Sequence, residues 1–137
     1  MDRITDEDVE AMFRPNPAPV KVPPSLADNP KQAQGDAKPG MHYVPGKTFL
    51  AVAEVFKLGA AKYGLKNWRK QPIRASSYYS AMHRHLLDWF EGGVDMDPES
   101  HHHHLAHVIA SCMIILDAME HNALIDDRAD AEVKTKV

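Results

Sequence analysis

The segment "LAHVIASCMIILDAM", residues 105–119, limits what this chain can fold into more than any other part of its sequence. Its apolar residues recur at the spacing of three and four that is typical of an α-helix. Residues 113–115 add apolar side chains on the remaining sides, so almost the whole circumference is apolar. Because such a helix has to be buried on several sides, we predict a central helix from about His102 to His121. Its main stripe consists of Leu105, Val108, Ile109, Cys112, Leu116 and Met119.

Two further segments have the periodicity of amphipathic helices. The first runs through Phe49 and Tyr63 and is expected to end at Gly64, a residue that suits a helix C-terminus. The second is "SYYSAMHRHLLDWFEGG", in which Ser76 or Ser77 is the expected N-cap and Gly92-Gly93 the stop. The stripe of the second helix contains Tyr79, Met82, Leu86, Trp89 and Phe90.

The fold class follows from these patterns. No segment alternates with the period-two pattern of a strand over a useful length, so the sequence predicts an all-α protein, a small helical bundle. Two helices and an arm give the central helix limited cover. We therefore expect the bundle to be completed by oligomerisation, as a homodimer or homotetramer.

The chain divides by composition into three parts. Residues 1–40 hold most of its ten prolines, and because proline fixes φ and lacks a backbone donor we expect an extended or disordered arm. A short helix from about Thr5 to Phe13 is expected within this arm. Residues 41–123 form the helical body, and residues 124–137 form a charged tail that frays.

Composition excludes several classes of partner. The 137 residues carry a formal net charge of −3 and are 26% charged, which gives no basis for binding nucleic acid polymers or an anionic membrane. No apolar run reaches the ~18 residues that suggest a membrane span. The single cysteine cannot form an internal disulfide. We therefore expect a cytoplasmic protein.

Histidines and a carboxylate lie beside the apolar stripes of two helices. His104 and His107 are spaced i, i+3 on the central helix, and His85 and Asp88 have the same spacing on the preceding one. If these helices pack antiparallel, the two pairs face each other. Imidazoles and carboxylates bind divalent metals inside helical bundles, so the sequence predicts a metal site here. The run begins with His101 and His102, which we expect to be solvated bystanders.

A basic and aromatic cluster precedes the second helix, in "GAAKYGLKNWRK". Lysine and arginine suit phosphates, asparagine can hydrogen-bond a base edge, and tyrosine or tryptophan can stack on a base. Arg84, beside His85, can add a phosphate contact. The alternative is a solvated basic turn in which Trp68 fills part of the core. The cluster contains Lys62, Tyr63, Lys66, Asn67, Trp68, Arg69 and Lys70.

Three ordered motifs carry a resemblance to a known family. "KPG…VP…VAEVFKLGAAKYGLKNWRK", "RHLLDWFEGG" and "DPES…HLAH" resemble the phage-associated family described as dATP/dGTP diphosphohydrolase, N-terminal. That family is loosely related to the all-α, MazG-like nucleotide pyrophosphohydrolases. The resemblance covers about Lys38 to Glu120. It implies that residues 41–123 form a nucleotide-binding, hydrolytic domain.

The resemblance implies metal-dependent hydrolysis of a purine deoxynucleoside triphosphate to monophosphate and pyrophosphate, in an oligomeric bundle. Lys62, Tyr63, Asn67, Trp68 and Arg69 match "KYGxxNWR", and with Arg84 they are the expected substrate-binding residues. Arg84, His85 and Trp89 match "RHLxxW", and Asp97, Glu99, Ser100, His104 and His107 match the histidine segment. Asp97 and Glu99 are the expected catalytic residues, as ligand or general base.

The chain differs from the MazG-like enzymes at the positions expected to hold the metal ligands. MazG-like enzymes carry ExxE and ExxD pairs on facing helices, where this chain has His85-Leu86-Leu87-Asp88 and His104-Leu105-Ala106-His107. The expected cofactor is Mn²⁺ or Mg²⁺, with another transition metal as an alternative. Ligation by His85, His104 and His107 would favour transition metals, whereas ligation by carboxylates alone would suit Mg²⁺. A glycine is also expected after Ser100, where this chain has His101.

Two other functions stay open from the sequence. The chain can bind and sequester a nucleotide without turning it over, because the carboxylate set is reduced while the basic cluster is complete. It can also be a structural or interaction module whose histidines decorate the surface or join subunits through metal.

Overall fold

The computed structural model describes residue 21 and residues 28–129, and the helix expected from Thr5 to Phe13 lies outside the described residues. The chain divides into two compact units, residues 1–41 and 42–137. In the first unit, helix α1 spans Pro30–Asp36. The Asn29 side chain caps it by accepting a hydrogen bond from the Lys31 backbone N–H at 3.0 Å. This helix departs from the extended arm that the prolines indicated, because proline is tolerated in a first helical turn.

Helix α2 spans Gly46–Tyr63 and follows a single 3-10 turn at Met41–Tyr43. Its C-cap is Gly64, at φ 93°, whose N–H donates to the Ala60 carbonyl. The predicted end of this helix is therefore confirmed. A second 3-10 turn, Asn67–Arg69, leads from α2 towards the next helix.

Helix α3 spans Ala75–Phe90, and its N-cap is Arg74, which makes no side-chain capping bond. The prediction that Ser76 or Ser77 caps this helix is wrong. Ser76 instead donates its backbone N–H and its hydroxyl to the Asp127 carboxylate. The partner of Ser76 is remote in sequence, so a local capping pattern cannot reveal it.

Helix α4 spans His104–Glu120. It begins two residues later than predicted, because His103 is the N-cap and accepts a hydrogen bond from the Leu105 N–H at 3.1 Å. Helix α4 packs against both α2 and α3, so it is the central helix of the second unit. None of the helices within residues 28–129 is both long and apolar enough to cross a membrane.

Two short strands join the residues before α3 to those after α4. Strands β1 (Ile73–Arg74) and β2 (Leu124–Ile125) pair in parallel, with Ile73 opposite Leu124. Two-residue strands are too short to produce a period, so the sequence did not indicate them. The class remains all-α, as predicted. Residues 124–127 of the expected tail thus contact the helical body, while the division of the chain at residues 40 and 124 stays a prediction.

The core consists of two small clusters on either side of Phe56. Val52 packs with Ala106 and Ala110, and Trp68 packs with Ala118 and Ala123. The buried face of α4 is therefore made largely of alanine. Ile114 packs against the second cluster, but other large apolar side chains of α4 lie on the surface, with Leu116 67% and Met119 50% exposed.

Candidate functional site

The histidines of α3 and α4 meet in one cluster. His85 near the end of α3 lies beside His104 at the start of α4, with their Nδ1 atoms 2.8 Å apart. The His107 ring stacks on His85, with centroids 4.5 Å apart and an angle of 8° between the planes. Further along, Met82 of α3 contacts Cys112 of α4, so the two helices run antiparallel. The antiparallel packing on which the predicted site depends is present.

The loop between α3 and α4 folds back to place Asp97 beside these rings. Met96 and His103 form an antiparallel bridge, and the Asp97 N–H donates to the His102 carbonyl at 2.8 Å. The Ser100 N–H donates to Asp97 Oδ2 at 2.9 Å. The backbone of the loop therefore fixes the carboxylate in the cluster.

His101 occupies the tightest point of this loop. Its φ is 59°, in the left-handed region that glycine adopts without a steric penalty. The glycine expected after Ser100 would suit this conformation. The His101 side chain is exposed, so the ring takes no part in the cluster.

His104 is the deepest member of the cluster. It is 1% exposed, and its Nε2 atom has no hydrogen-bond partner among the residues that the structure describes. An unpaired buried nitrogen lowers stability because it has lost its water without gaining a partner. A group of this kind points to a ligand or to a functional constraint.

Three side chains can offer ligand atoms to one metal ion. Atoms of His85, Asp97 and His104 all lie within 4.8 Å of one another. Asp97 completes this set, whereas Asp88 lines the adjoining pocket. His107 is engaged with Ser100, whose Oγ is 2.7 Å from His107 Nε2.

The protonation states of the cluster suit metal binding. Burial, followed by the charge of His104, lowers the pKa of His85, and burial followed by His85 lowers the pKa of His107. Both rings are therefore neutral near pH 7. Desolvation raises the pKa of Asp97, but hydrogen bonds from Ser100 and the nearby His107 outweigh it, so the pKa lies below its ordinary value. A neutral imidazole at His85 and an ionised carboxylate at Asp97 are donors that fit a divalent transition metal.

A pocket of about 480 Å³ opens beside the cluster. Its polar lining combines positive side chains, carboxylates and histidines from α2, α3, α4 and the loop between α3 and α4. Lys62 and Glu99 form an ion pair across it at 3.2 Å, with side chains 42% and 81% exposed. Such an exposed pair contributes little to stability, so a phosphate can replace Glu99 at Lys62. The lining residues are Leu58, Lys62, Tyr63, Ala81, Arg84, His85, Asp88, Asp97, Glu99, Ser100 and His107.

Trp68 and Arg69, expected to bind substrate, are held elsewhere. Trp68 Nε1 donates to Asp117 Oδ2 at 2.7 Å, and Arg69 Nε donates to the same oxygen at 2.7 Å. Arg69 Nη2 also donates to Asp117 Oδ1. The hydrogen bonds from Arg69, then that from Trp68, hold the pKa of Asp117 well below its usual range. The structure thus places Trp68 in the core and ties both side chains to α4, in agreement with the alternative interpretation of Trp68.

Sequence reasoning did not single out Asp117. The signal for it was a lone carboxylate inside the apolar segment of α4. Asn67, from the same basic cluster, lies beside Tyr63 in a different pocket from Arg69. Of the basic and aromatic residues predicted for substrate, Lys62, Tyr63 and Arg84 are the ones that line the pocket beside the histidines.

Comparison with known proteins decides the family. The sequence profile described as dATP/dGTP diphosphohydrolase, N-terminal, matches residues 28–128. The chain belongs to this family. A dATP/dGTP diphosphohydrolase of Salmonella phage PMBT28 is 35% identical over 77 residues, which are 56% of this chain and 26% of that protein. The chain thus spans about a quarter of the length of this diphosphohydrolase. No solved structure gives a significant match.

Proposed function

We propose that this member of the dATP/dGTP diphosphohydrolase, N-terminal, family hydrolyses a purine deoxynucleoside triphosphate to monophosphate and pyrophosphate, with a divalent metal. The observation that carries the proposal is the pocket in which Lys62 and Arg84 lie beside His85, Asp97 and His107. Positive side chains for phosphate and donor atoms for a metal are the two requirements of such a reaction. The name of the phage relative supports a purine deoxynucleotide as substrate.

His85, Asp97 and His104 are the residues proposed to hold the metal. This assignment retains two of the histidines expected from the sequence and uses Asp97 in place of Asp88 and His107. A bound metal would supply Lewis-acid activation of a phosphate oxygen and of water. The buried position of His104 excludes bulk water from one side of this set.

Lys62 and Arg84 are proposed to bind the phosphates. Arginine presents a planar fork that matches two phosphate oxygens, and lysine acts as a compact point charge. Both line the pocket, and Lys62 is held at its rim by Glu99. Phosphate binding would release Glu99, which can then act on water at the mouth of the pocket.

His107 is a second proposed proton acceptor. Its pKa is lowered by burial, so its neutral form predominates near pH 7 and keeps a lone pair available. The short contact with Ser100 Oγ orients the ring. Asp97 and Glu99, the catalytic residues expected from sequence, thus take the roles of metal ligand and of an alternative base.

Nucleotide binding without turnover is the second candidate function. The close approach of His85 to His104 favours it, because a hydrogen bond between the rings can close this site without a metal. Release of pyrophosphate separates the two functions. We would incubate the purified chain with each deoxynucleoside triphosphate and Mg²⁺, Mn²⁺, Co²⁺ or Zn²⁺. Pyrophosphate from dATP or dGTP supports hydrolysis, and ligand recovered unchanged from a tight complex supports binding alone.

We also propose that the chain works as a homo-oligomer, a dimer or tetramer. On α3, Tyr79, Leu86 and Phe90 share one face at helical spacing and are 63%, 39% and 79% exposed. On α4, Leu116 and Met119 are exposed as well. Adjacent large apolar side chains on the surface mark an interaction site.

A further inference from the structure

A second, smaller pocket adjoins the phosphate-binding one. Its volume is about 170 Å³, and Tyr63 and His107 line both pockets. Drug-sized ligands occupy pockets of about 300–1,000 Å³, so this volume suits a single ring system instead of an entire nucleotide. The shared wall means that a ligand can extend from one pocket into the other. We call the smaller pocket the base slot.

Besides Tyr63, Trp68 and His107, the base slot has apolar sides and three further polar side chains. Val55, Phe56 and Ile114 supply apolar surface, and the polar groups come from Asn67, Tyr78 and Ser111. No hydrogen-bond partner for these three polar side chains is present in residues 28–129. All three residues are half-buried, so a ligand that covers them has to satisfy them.

The polar groups match the edge of a base. An asparagine amide offers a hydrogen-bond donor and an acceptor side by side. This pair complements the donor and acceptor on the edge of a purine. Burial raises the pKa of the Tyr78 hydroxyl above its ordinary value, so the group stays neutral and can donate. The Tyr63 ring, at the boundary of the two pockets, offers a face on which a base or sugar can stack.

Gly59 of α2 lines the base slot. A Cβ added at Gly59 would meet no heavy atom of the described chain within 4 Å, so no close packing requires a glycine. Within a helix, glycine lowers stability by roughly 0.5–1 kcal/mol relative to alanine. Because a side chain at Gly59 would meet open space, a large one placed there is a means of filling the slot.

We infer that the base slot receives the purine base of the nucleotide whose triphosphate binds at Lys62 and Arg84. Gly59, Asn67 and Tyr78 are then the residues that determine specificity for the base. The inference rests on the proposed function, since it takes the larger pocket as the phosphate site. It goes further by assigning the part of the chain that distinguishes one nucleotide from another.

The test compares Gly59→Leu with Gly46→Leu. Both glycines lie in α2 with no atom of the described chain within 4 Å of an added Cβ, but Gly46 is at the start of the helix, away from the slot. Calorimetry with Mn²⁺ would measure the affinities of α,β-methylene dATP, α,β-methylene dGTP and inorganic triphosphate. The methylene bridge prevents cleavage between the α- and β-phosphates, so binding is measured without turnover.

The parent chain should bind at least one purine analogue more tightly than inorganic triphosphate by tenfold or more, which is ~1.4 kcal/mol. Gly59→Leu should remove this difference and leave the affinity for inorganic triphosphate unchanged, and Gly46→Leu should keep the difference. Asn67→Ala and Tyr78→Phe should reduce the preference for the purine analogues over inorganic triphosphate, which tests the slot even if Gly59→Leu fails to fold.

The outcomes separate the slot from the hydrolysis. If binding depends on the base but no pyrophosphate is released from dATP or dGTP, the base slot is supported and the proposed hydrolysis is disproved. Pyrophosphate release with equal affinity for purine analogues and inorganic triphosphate overturns the slot alone. The base-slot assignment is also disproved if Gly59→Leu leaves the purine preference intact, if it weakens the binding of all ligands equally, or if no nucleotide analogue binds at all.

Discussion

The Nδ1 atoms of His85 and His104 lie 2.8 Å apart, which is the length of a hydrogen bond. One ring therefore donates and the other accepts, and one proton lies between the two nitrogens. A metal bound by both nitrogens has to displace this proton. Metal binding and this hydrogen bond thus compete for the same pair of atoms.

Metal titration tests the assigned ligands. His85→Ala and Asp97→Ala should each lower Mn²⁺ affinity by tenfold or more, about 1.4 kcal/mol, because each removes one donor of the set. Zn²⁺, Co²⁺ or Mn²⁺ should bind more tightly than Mg²⁺, since imidazole suits transition metals. His83→Ala, at an exposed histidine of α3, is the control. Undiminished Mn²⁺ affinity in both variants would show that His85 and Asp97 are not metal ligands.

Stability of the metal-free chain should fall as the pH drops below ~6.5, the pKa of histidine in an unfolded chain. Burial lowers the pKa of His85 and His107 in the folded state. Below pH ~6.5 the unfolded chain therefore takes up protons that the folded chain does not, and the loss continues until the pH reaches the folded pKa values. Above pH ~6.5 both rings are neutral in the folded and the unfolded state, so they cause no change of stability with pH.

Melting temperatures between pH 5 and 8 in EDTA would measure this dependence. His85→Gln and His107→Gln should each make the melting temperature less sensitive to pH. His83→Gln should keep the slope of the parent. Identical slopes in all of these chains would contradict the assignment.

Trp68 is expected to stabilise the fold through Asp117 and to make no contact with the phosphates. Trp68→Phe removes the hydrogen bond from Nε1 to Asp117 and part of a buried ring. The free energy of unfolding should fall by about 1–3 kcal/mol, the penalty for a lost partner and lost packing. Urea unfolding would measure this change, and calorimetry should show the affinity for inorganic triphosphate within twofold of the parent. A large loss of triphosphate affinity in a stable Trp68→Phe chain would restore Trp68 to the phosphate site.

His101→Gly should stabilise the protein. The φ of 59° places a side chain where left-handed backbone disfavours it by roughly 1–2 kcal/mol, and glycine removes this penalty, partly offset by its greater freedom when unfolded. We expect a net gain of about 0.5–1 kcal/mol in urea unfolding. His102→Gly, at a neighbour with ordinary backbone, should instead lose stability. The reverse order of the two variants would contradict the role of the loop conformation.

Leu116→Glu tests the proposed oligomer. Leu116 is 67% exposed, so a charge at this position is harmless in a monomer but unfavourable in an apolar interface. Light scattering should show a dimer or tetramer for the parent and a smaller species for the variant, with the helical signal retained. Glu120→Gln, a polar change in the last turn of α4, should leave the assembly intact. A parent that is monomeric at all concentrations would disprove the oligomer.

The sequence predicted the helices well because each is long enough to repeat its pattern. Helices α2, α3 and α4 have 18, 16 and 17 residues, several turns each. Their boundaries were less accurate, since the caps at Arg74 and His103 have residue types that a capping pattern does not favour. The strand pair was missed because its pairing depends on residues about 50 positions apart.

The sequence indicated which residue types form the candidate site better than it indicated how they are arranged. Spacing within one helix places His104 and His107 together, and antiparallel packing adds His85. The position of Asp97 depends on the hairpin of the loop, and that of Arg69 on Asp117, 48 residues away. Local spacing carries no information on either contact, so the sequence alone places neither Asp97 beside the histidines nor Arg69 on Asp117.

The alanines on the buried side of α4 have a consequence for how the protein behaves on dilution. Ala106, Ala110 and Ala118 bury little more than methyl groups, so a single chain gains little apolar stabilisation from its own central helix. If copies associate through the larger side chains on the outside, much of the folding free energy comes from association. Melting temperature would then rise with protein concentration by mass action.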